Sequence, residues 1–114
     1  MHELSIANSI VEIATAAAKR QQAAHVNTVY LRLGPLSGVV SDALRFSYEI
    51  VCEGTPLAGS NLVIEELPVV VHCAACEAQR TVDSIQYLRC PMCGAPTPEV
   101  VQGRELEVTA LEIV

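Results

Sequence analysis

The stretch that decides the reading runs Cys73-Ala74-Ala75-Cys76, then 13 residues from Glu77 to Arg89, then Cys90-Pro91-Met92-Cys93-Gly94. Two Cys-x-x-Cys pairs at this separation match the ligand pattern of a structural zinc site, in which four thiolates stand tetrahedrally about 2.3 Å from the metal. The spacing has a mechanical basis. Two residues between thiols let one tight turn aim both sulfurs at a single point, and the intervening hairpin brings a second such turn alongside. Pro91 presets φ inside the second turn, and Gly94 can take the positive φ that swings the chain away after the last ligand. At the matching place in the first turn stands Glu77 rather than a glycine. Two disulfides or a redox pair are the competing readings, and two matched knuckles are far more specific than one.

Working outward, Pro68 marks the approach to this segment and Pro96 and Pro98 its exit. Its thirty or so residues cannot bury enough apolar surface alone, so the metal must hold them together. The flanking chain supplies a core. Leu4, Ala7, Val11, Ala14 and Ala18 recur at spacings of three and four, widened by Ile6, Ile10, Ile13 and Ala17, and predict a helix over 4–23. Val29, Leu31 and Leu33 alternate with Thr28, Tyr30 and Arg32, a strand over 26–33 that Gly34-Pro35 ends. Ser41 reads as an N-cap with Asp42 in the first turn, opening a second helix to about Cys52 with Leu44, Tyr48 and Val51 inward; Gly54 and Pro56 stop it. A second strand is expected over 61–71 and a last one over 104–114. In the last, the apolar parity slips from Leu106 and Val108 to Leu111 and Ile113, which suggests a bulge near Ala110.

The expected fold is therefore α+β. Two helices cover a three-stranded mixed sheet, with a right-handed strand–helix–strand crossover and an inserted four-cysteine zinc-ribbon subdomain. The division is 1–67 plus 104–114 for the helix–sheet domain and 68–103 for the insert.

Composition narrows the function. The chain has 114 residues, 51% of them hydrophobic but only 4% aromatic, so its core is aliphatic. Seven basic against thirteen acidic residues give a net charge of −6, which opposes binding to nucleic acid. The apolar start is interrupted by Ser5, Asn8, Ser9 and Glu12 with no basic segment before it, so neither a signal peptide nor a membrane span is expected. Five cysteines, four at metal spacing, point to a reducing compartment and so to a cytoplasmic protein. Cys52, the fifth, reads as a small buried hydrophobe.

No phosphate-binding loop, dinucleotide fingerprint or nucleophile–base arrangement is present, and the chain is not expected to be an enzyme. His25 falls in a turn. His72 adjoins Cys73, but four cysteines already close that site. His2 differs by its place. A free amino terminus, the backbone amide of residue 2 and the His2 imidazole can chelate one ion in fused rings, with the amide or carboxylate of Glu3 completing a fourth position. Nitrogen-rich planar donors suit Ni(II) and Cu(II) and suit zinc poorly. On the residues alone, a solvated chain end remains the competing reading.

The opening Met1-His2-Glu3-Leu4-Ser5, the Leu31-Arg32-Leu33-Gly34 strand end, the Cys73/Cys76/Cys90/Cys93 quartet and the closing Leu106–Ile113 strand together resemble the HypA/HybF family. These are nickel-insertion accessory proteins of NiFe-hydrogenase maturation, and the resemblance spans essentially the whole chain. It implies a nickel metallochaperone in which His2 binds Ni(II) with Glu3 beside it, while Cys73, Cys76, Cys90 and Cys93 hold structural zinc. It further implies a HypB-type GTPase and the hydrogenase large-subunit precursor as partners. The chain itself is expected to be a monomer or weak homodimer. Some family members are discussed with an aspartate shortly after the first-strand glycine as a further nickel contact. Here Val39 and Val40 stand there, with Asp42 slightly later. The rival from another class is a zinc-ribbon adaptor for nucleic acid, for which Arg80, Arg89 and Arg104 would have to form the basic patch.

Overall fold

A computed structural model describes residues 3–114. Helix α1 spans Glu3–Arg20, strand β1 Val26–Leu33, helix α2 Ser41–Cys52, β2 Asn61–Glu66, β3 Val69–Cys73, β4 Ala78–Val82, β5 Glu99–Gln102 and β6 Leu106–Ile113. They form two three-stranded sheets, ordered β2-β1-β6 and β4-β3-β5. The chain divides into two compact units, the first made of 1–32, 39–65 and 107–114 and the second of 33–38 and 66–106.

The first unit holds the helices. Ala7, Ile10, Val11, Ala14 and Ala18 on α1 are buried with Leu44, Tyr48 and Cys52 on α2 and Val26, Val29 and Leu31 on β1. Alanine at three of the five buried α1 positions lets the neighbouring backbone come close, and the core is aliphatic apart from Tyr48. Cys52 is buried, as its sequence context predicts. Leu4 and Ile13, read as part of the apolar stripe, are instead exposed, because the true stripe is narrower and centred on Ala7, Val11, Ala14 and Ala18.

Three sequence expectations change at element ends. Helix α1 stops at Arg20 rather than near residue 23: Gln22 takes φ 56°, and Ala23 N donates to Ala18 O while Gln22 N donates to Lys19 O. That crossed pair satisfies the last carbonyls and reverses the chain without a glycine. Ser41 is not the cap of α2. Val40 is, in extended conformation and with no side-chain cap of its own. Its amide instead meets the Glu3 carboxylate, Val40 N to Glu3 Oε2 at 3.4 Å. The long strand expected over 61–71 is two strands in different sheets, broken at Leu67-Pro68. Proline has no N–H for a ladder and its ring restricts the residue before it, so the apolar run after it belongs to a new sheet.

Arg32, near the end of β1, pairs through its Nε with Glu65 Oε1 near the end of β2 at 3.0 Å, so these strands run the same way. Against β6, the bonds Gly34 N to Glu105 O and Val114 N to His25 O join opposite ends, so β1 and β6 run antiparallel and the sheet is mixed. Val108 and Leu111, three residues apart, both pack against the core, so the alternation of β6 slips between them, where the sequence pattern places it.

The second unit has its own small core of Val69, Val71 and Val82, with Leu36, Leu88 and Val100 packed around it. It extends beyond the cysteine segment because Leu36 N donates to Gly103 O and Leu67 N to Leu33 O. Strands β4 and β5, which carry no strong alternation in sequence, pair antiparallel on either side of β3.

Candidate metal centre

Each knuckle is built by an antiparallel scaffold. Cys73 ends β3 opposite Ala78, the first residue of β4, so the chain must reverse between them, and Cys76 lies in that reversal. The Cys76 amide points at Cys73 Sγ at 3.4 Å, the inward N–H that stabilises a thiolate. Glu77 then takes φ 51° and Gly94 φ 77°, so both knuckles leave through the left-handed region. The second achieves with glycine what the first achieves with a glutamate. There, Gly94 N donates to Cys90 O at 2.8 Å and Cys90 N to Ala95 O at 2.9 Å. Buried Thr97 holds the base of this turn, its Oγ1 donating to Leu88 O at 2.7 Å.

The result is a quartet. Cys73, Cys76, Cys90 and Cys93 place their Sγ atoms within 4.8 Å of one another. Cys73 Sγ lies 3.5 Å from Cys93 Sγ and Cys76 Sγ 3.9 Å from Cys90 Sγ. A tetrahedral ion with arms of about 2.3 Å spaces its sulfurs roughly 3.8 Å apart, so the cluster fits a structural zinc site. No disulfide joins them: the four cysteines are unbonded, with sulfurs at coordination spacing rather than the about 2.05 Å of a bonded pair. Cys73 and Cys90 are buried and Cys93 is exposed, so the site lies at the edge of the unit.

The electrostatics match a site made for a cation. Burial opposes the Cys90 thiolate, but the backbone N–H groups of Cys93 and Met92, with the neighbouring thiols, overcome this and bring it down to about 6. For Cys93 the Ala95 backbone favours the thiolate, yet the other sulfurs of the quartet outweigh it and push the thiol up to about 12. The proton affinities of Cys90 and Cys93 are thus driven in opposite directions within one cluster, and a dication held by the quartet would remove that conflict by binding them as thiolates. Arg80 holds its proton more firmly than usual, chiefly through Cys90 and then Cys76, whereas Arg89 turns to Gly94 O at 3.2 Å. Of these two arginines, Arg80 is the one that faces the sulfurs.

Among the described residues this quartet is the sole cluster of three or more histidine, cysteine or acidic side chains close enough to share an ion. His72 lies outside it, on β3 between Gln79 and Glu99 of the flanking strands. Glu3 opens α1, and Asp42 is exposed in the first turn of α2. His2 lies outside the described residues. Sequence reasoning missed the contact between Glu3 and Val40, residues 37 apart in the chain, and no local pattern signals it.

A helix–sheet unit joined to a ribbon closed by four thiols defines an α+β metal-handling protein, with one site suited to structural zinc. The comparison with known proteins is more specific: the family model for HypA, described as hydrogenase/urease nickel incorporation, metallochaperone, matches residues 1–113, and the chain belongs to that family. A hydrogenase maturation factor HypA of Chloroflexus aggregans is 54% identical over 112 residues, covering 98% of each chain. One from a Picosynechococcus species is 39% identical over 114 residues, covering 100% of both. The solution structure of the Ni metallochaperone HypA from Helicobacter pylori shares the fold, with a TM-score of 0.68 and 23% identity over 100% of this chain and 98% of that one. Among the described residues no helix is long and apolar enough to cross a membrane.

Proposed function

We propose that this chain is a nickel metallochaperone that carries Ni(II) for the maturation of NiFe-hydrogenase and keeps structural zinc in its cysteine quartet. The observation that carries the reading is the family match over residues 1–113, which takes in both the His2-Glu3 opening and the quartet. Nickel is cargo. It is held at the start of the chain by the His2 imidazole and adjacent backbone nitrogens, with Glu3 beside them. Such a set suits Ni(II), whose d-electrons favour square-planar nitrogen donors. An open site can pass an ion on by stepwise exchange with a recipient's ligands, which a closed four-thiolate site resists.

In this reading the nickel-binding part comprises 1–67 and 104–114 and the ribbon 68–103. The protein works in the cytoplasm and is not an enzyme. Its partners are a HypB-type GTPase and the hydrogenase large-subunit precursor.

The test is nickel titration with metal analysis. His2→Ala should abolish most high-affinity nickel uptake and leave one zinc per chain. Binding should also weaken as pH falls through about 6.5, where protons compete for the imidazole. Undiminished nickel affinity in His2→Ala would place the site elsewhere.

A further inference from the structure

We infer that the Glu3 carboxylate is a positioning group for nickel binding and not a nickel ligand: it clasps the start of α1 to the start of α2. This rests on the reading of His2 as the nickel anchor. Glu3 is the first residue of α1 and Val40 the N-cap of α2, and the Val40 amide donates to Glu3 Oε2 at 3.4 Å. The N-cap amide of a helix is commonly taken by an acidic side chain three residues further along the same helix. Here that place is held by apolar Ala43, and Leu44 after it hydrogen-bonds back to Val40 O; neither offers a carboxylate. The acceptor comes instead from α1.

The position also suits a charge. Glu3 lies in the first turn of its own helix and reaches the first turn of another, so the positive ends of two helix dipoles act on one carboxylate. With Oε2 on the Val40 amide, the carboxylate is directed at the backbone of α2 rather than free to turn onto an ion at His2. The clasp acts on the main chain through the side chain: tying the Glu3 carboxylate to Val40 restrains the first residue of α1, next to His2 in sequence, and an ordered donor costs less to bring onto a metal than a mobile one.

Three substitutions separate positioning from ligation. Glu3→Gln keeps an oxygen for the Val40 amide, Glu3→Ala removes it, and Val40→Pro removes the donor while leaving Glu3 intact; Val40 has φ −90° and extended ψ, near what proline takes. Nickel affinity should fall about tenfold in Glu3→Ala and in Val40→Pro, and stay within about threefold in Glu3→Gln. The double variant Glu3→Ala/Val40→Pro should be no worse than either single one, because both remove the same contact. The nickel X-ray absorption spectrum should show the same donor set in all of them. In parallel, the Val40 amide proton resonance should move upfield in Glu3→Ala and hold in Glu3→Gln, a readout that stands even if the proline variant folds poorly. If Glu3→Gln is as damaging as Glu3→Ala and loses an oxygen from the nickel spectrum, the carboxylate is a ligand and the inference is wrong. If Glu3→Ala binds nickel normally while His2→Ala does not, the clasp is wrong and the nickel site stands. If His2→Ala itself binds normally, the site reading has failed, and with it any role for Glu3 toward nickel.

Discussion

Gly34 shows how a single residue can be fixed by its surroundings rather than by its own backbone angles. Its φ is −101°, ordinary for any amino acid, but a Cβ there would lie 2.1 Å from Gly103 O. That contact is with backbone, which cannot swing aside, and the Gly34 amide is bonded to Glu105 O. Gly34→Ala should destabilise the protein by at least about 2–3 kcal/mol, read as a lowered denaturation midpoint. Tyr48 makes a different residue-scale argument. Its hydroxyl lies 2.6 Å from Ser60 Oγ, and burial pushes the phenol above its ordinary 10.0 despite that hydrogen bond. Burial likewise raises the Cys52 thiol above 9.0. Both groups hold their protons more tightly folded than unfolded. Their contribution to stability is therefore full below about pH 9 and is lost as pH rises through 10 and beyond. Tyr48→Phe should cost about 1 kcal/mol at neutral pH and flatten the alkaline decline. An unchanged slope of stability against pH would show that Tyr48 titrates alike in the folded and unfolded states.

At the scale of elements, β3, β4 and β5 depend on the metal in a way the helices do not. Apart from Cys73, their buried side chains are three valines, with Leu36, Leu88 and Val100 packed against them. The four sulfurs supply the rest, and structural zinc in such small units is worth about 10–16 kcal/mol of apparent binding free energy. Cys90→Ala, or a strong chelator, should release zinc and melt these three strands. The helices should survive, since α1 and α2 share a core with β1 that contains none of the quartet. The helical circular dichroism signal should fall only slightly, while amide resonances of β3–β5 collapse. Simultaneous loss of the helical signal would mean that the two units do not fold independently.

For the molecule as a whole, charge decides what the ribbon can bind. Many zinc ribbons contact nucleic acid, but this chain carries −6, and Arg80, which would serve a basic patch, is turned toward Cys90 and Cys76. Removing it leaves a footprint too small to release many counterions. A gel shift with duplex DNA or single-stranded RNA at about 0.15 M salt should show no complex. A salt-sensitive shift would restore the adaptor reading for the ribbon.

Whatever is local or periodic in this protein can be read from the order of its residues alone. Both helices and β1 are written in spacings of apolar residues, and the quartet in two turns whose geometry needs only four residues each. The same holds for the slip in β6, visible as a change of parity between Val108 and Leu111. Folding settles whatever depends on residues far apart in the chain. The run across Leu67-Pro68 reads as one strand because burial makes both halves apolar, and only pairing with β4 and β5 assigns the second half to another sheet. The cap of α2 is misread from local pattern for the same reason. Ser41 has the right side chain at the right local distance, but the Val40 amide takes an acceptor 37 residues away, and no local pattern encodes a partner brought by folding.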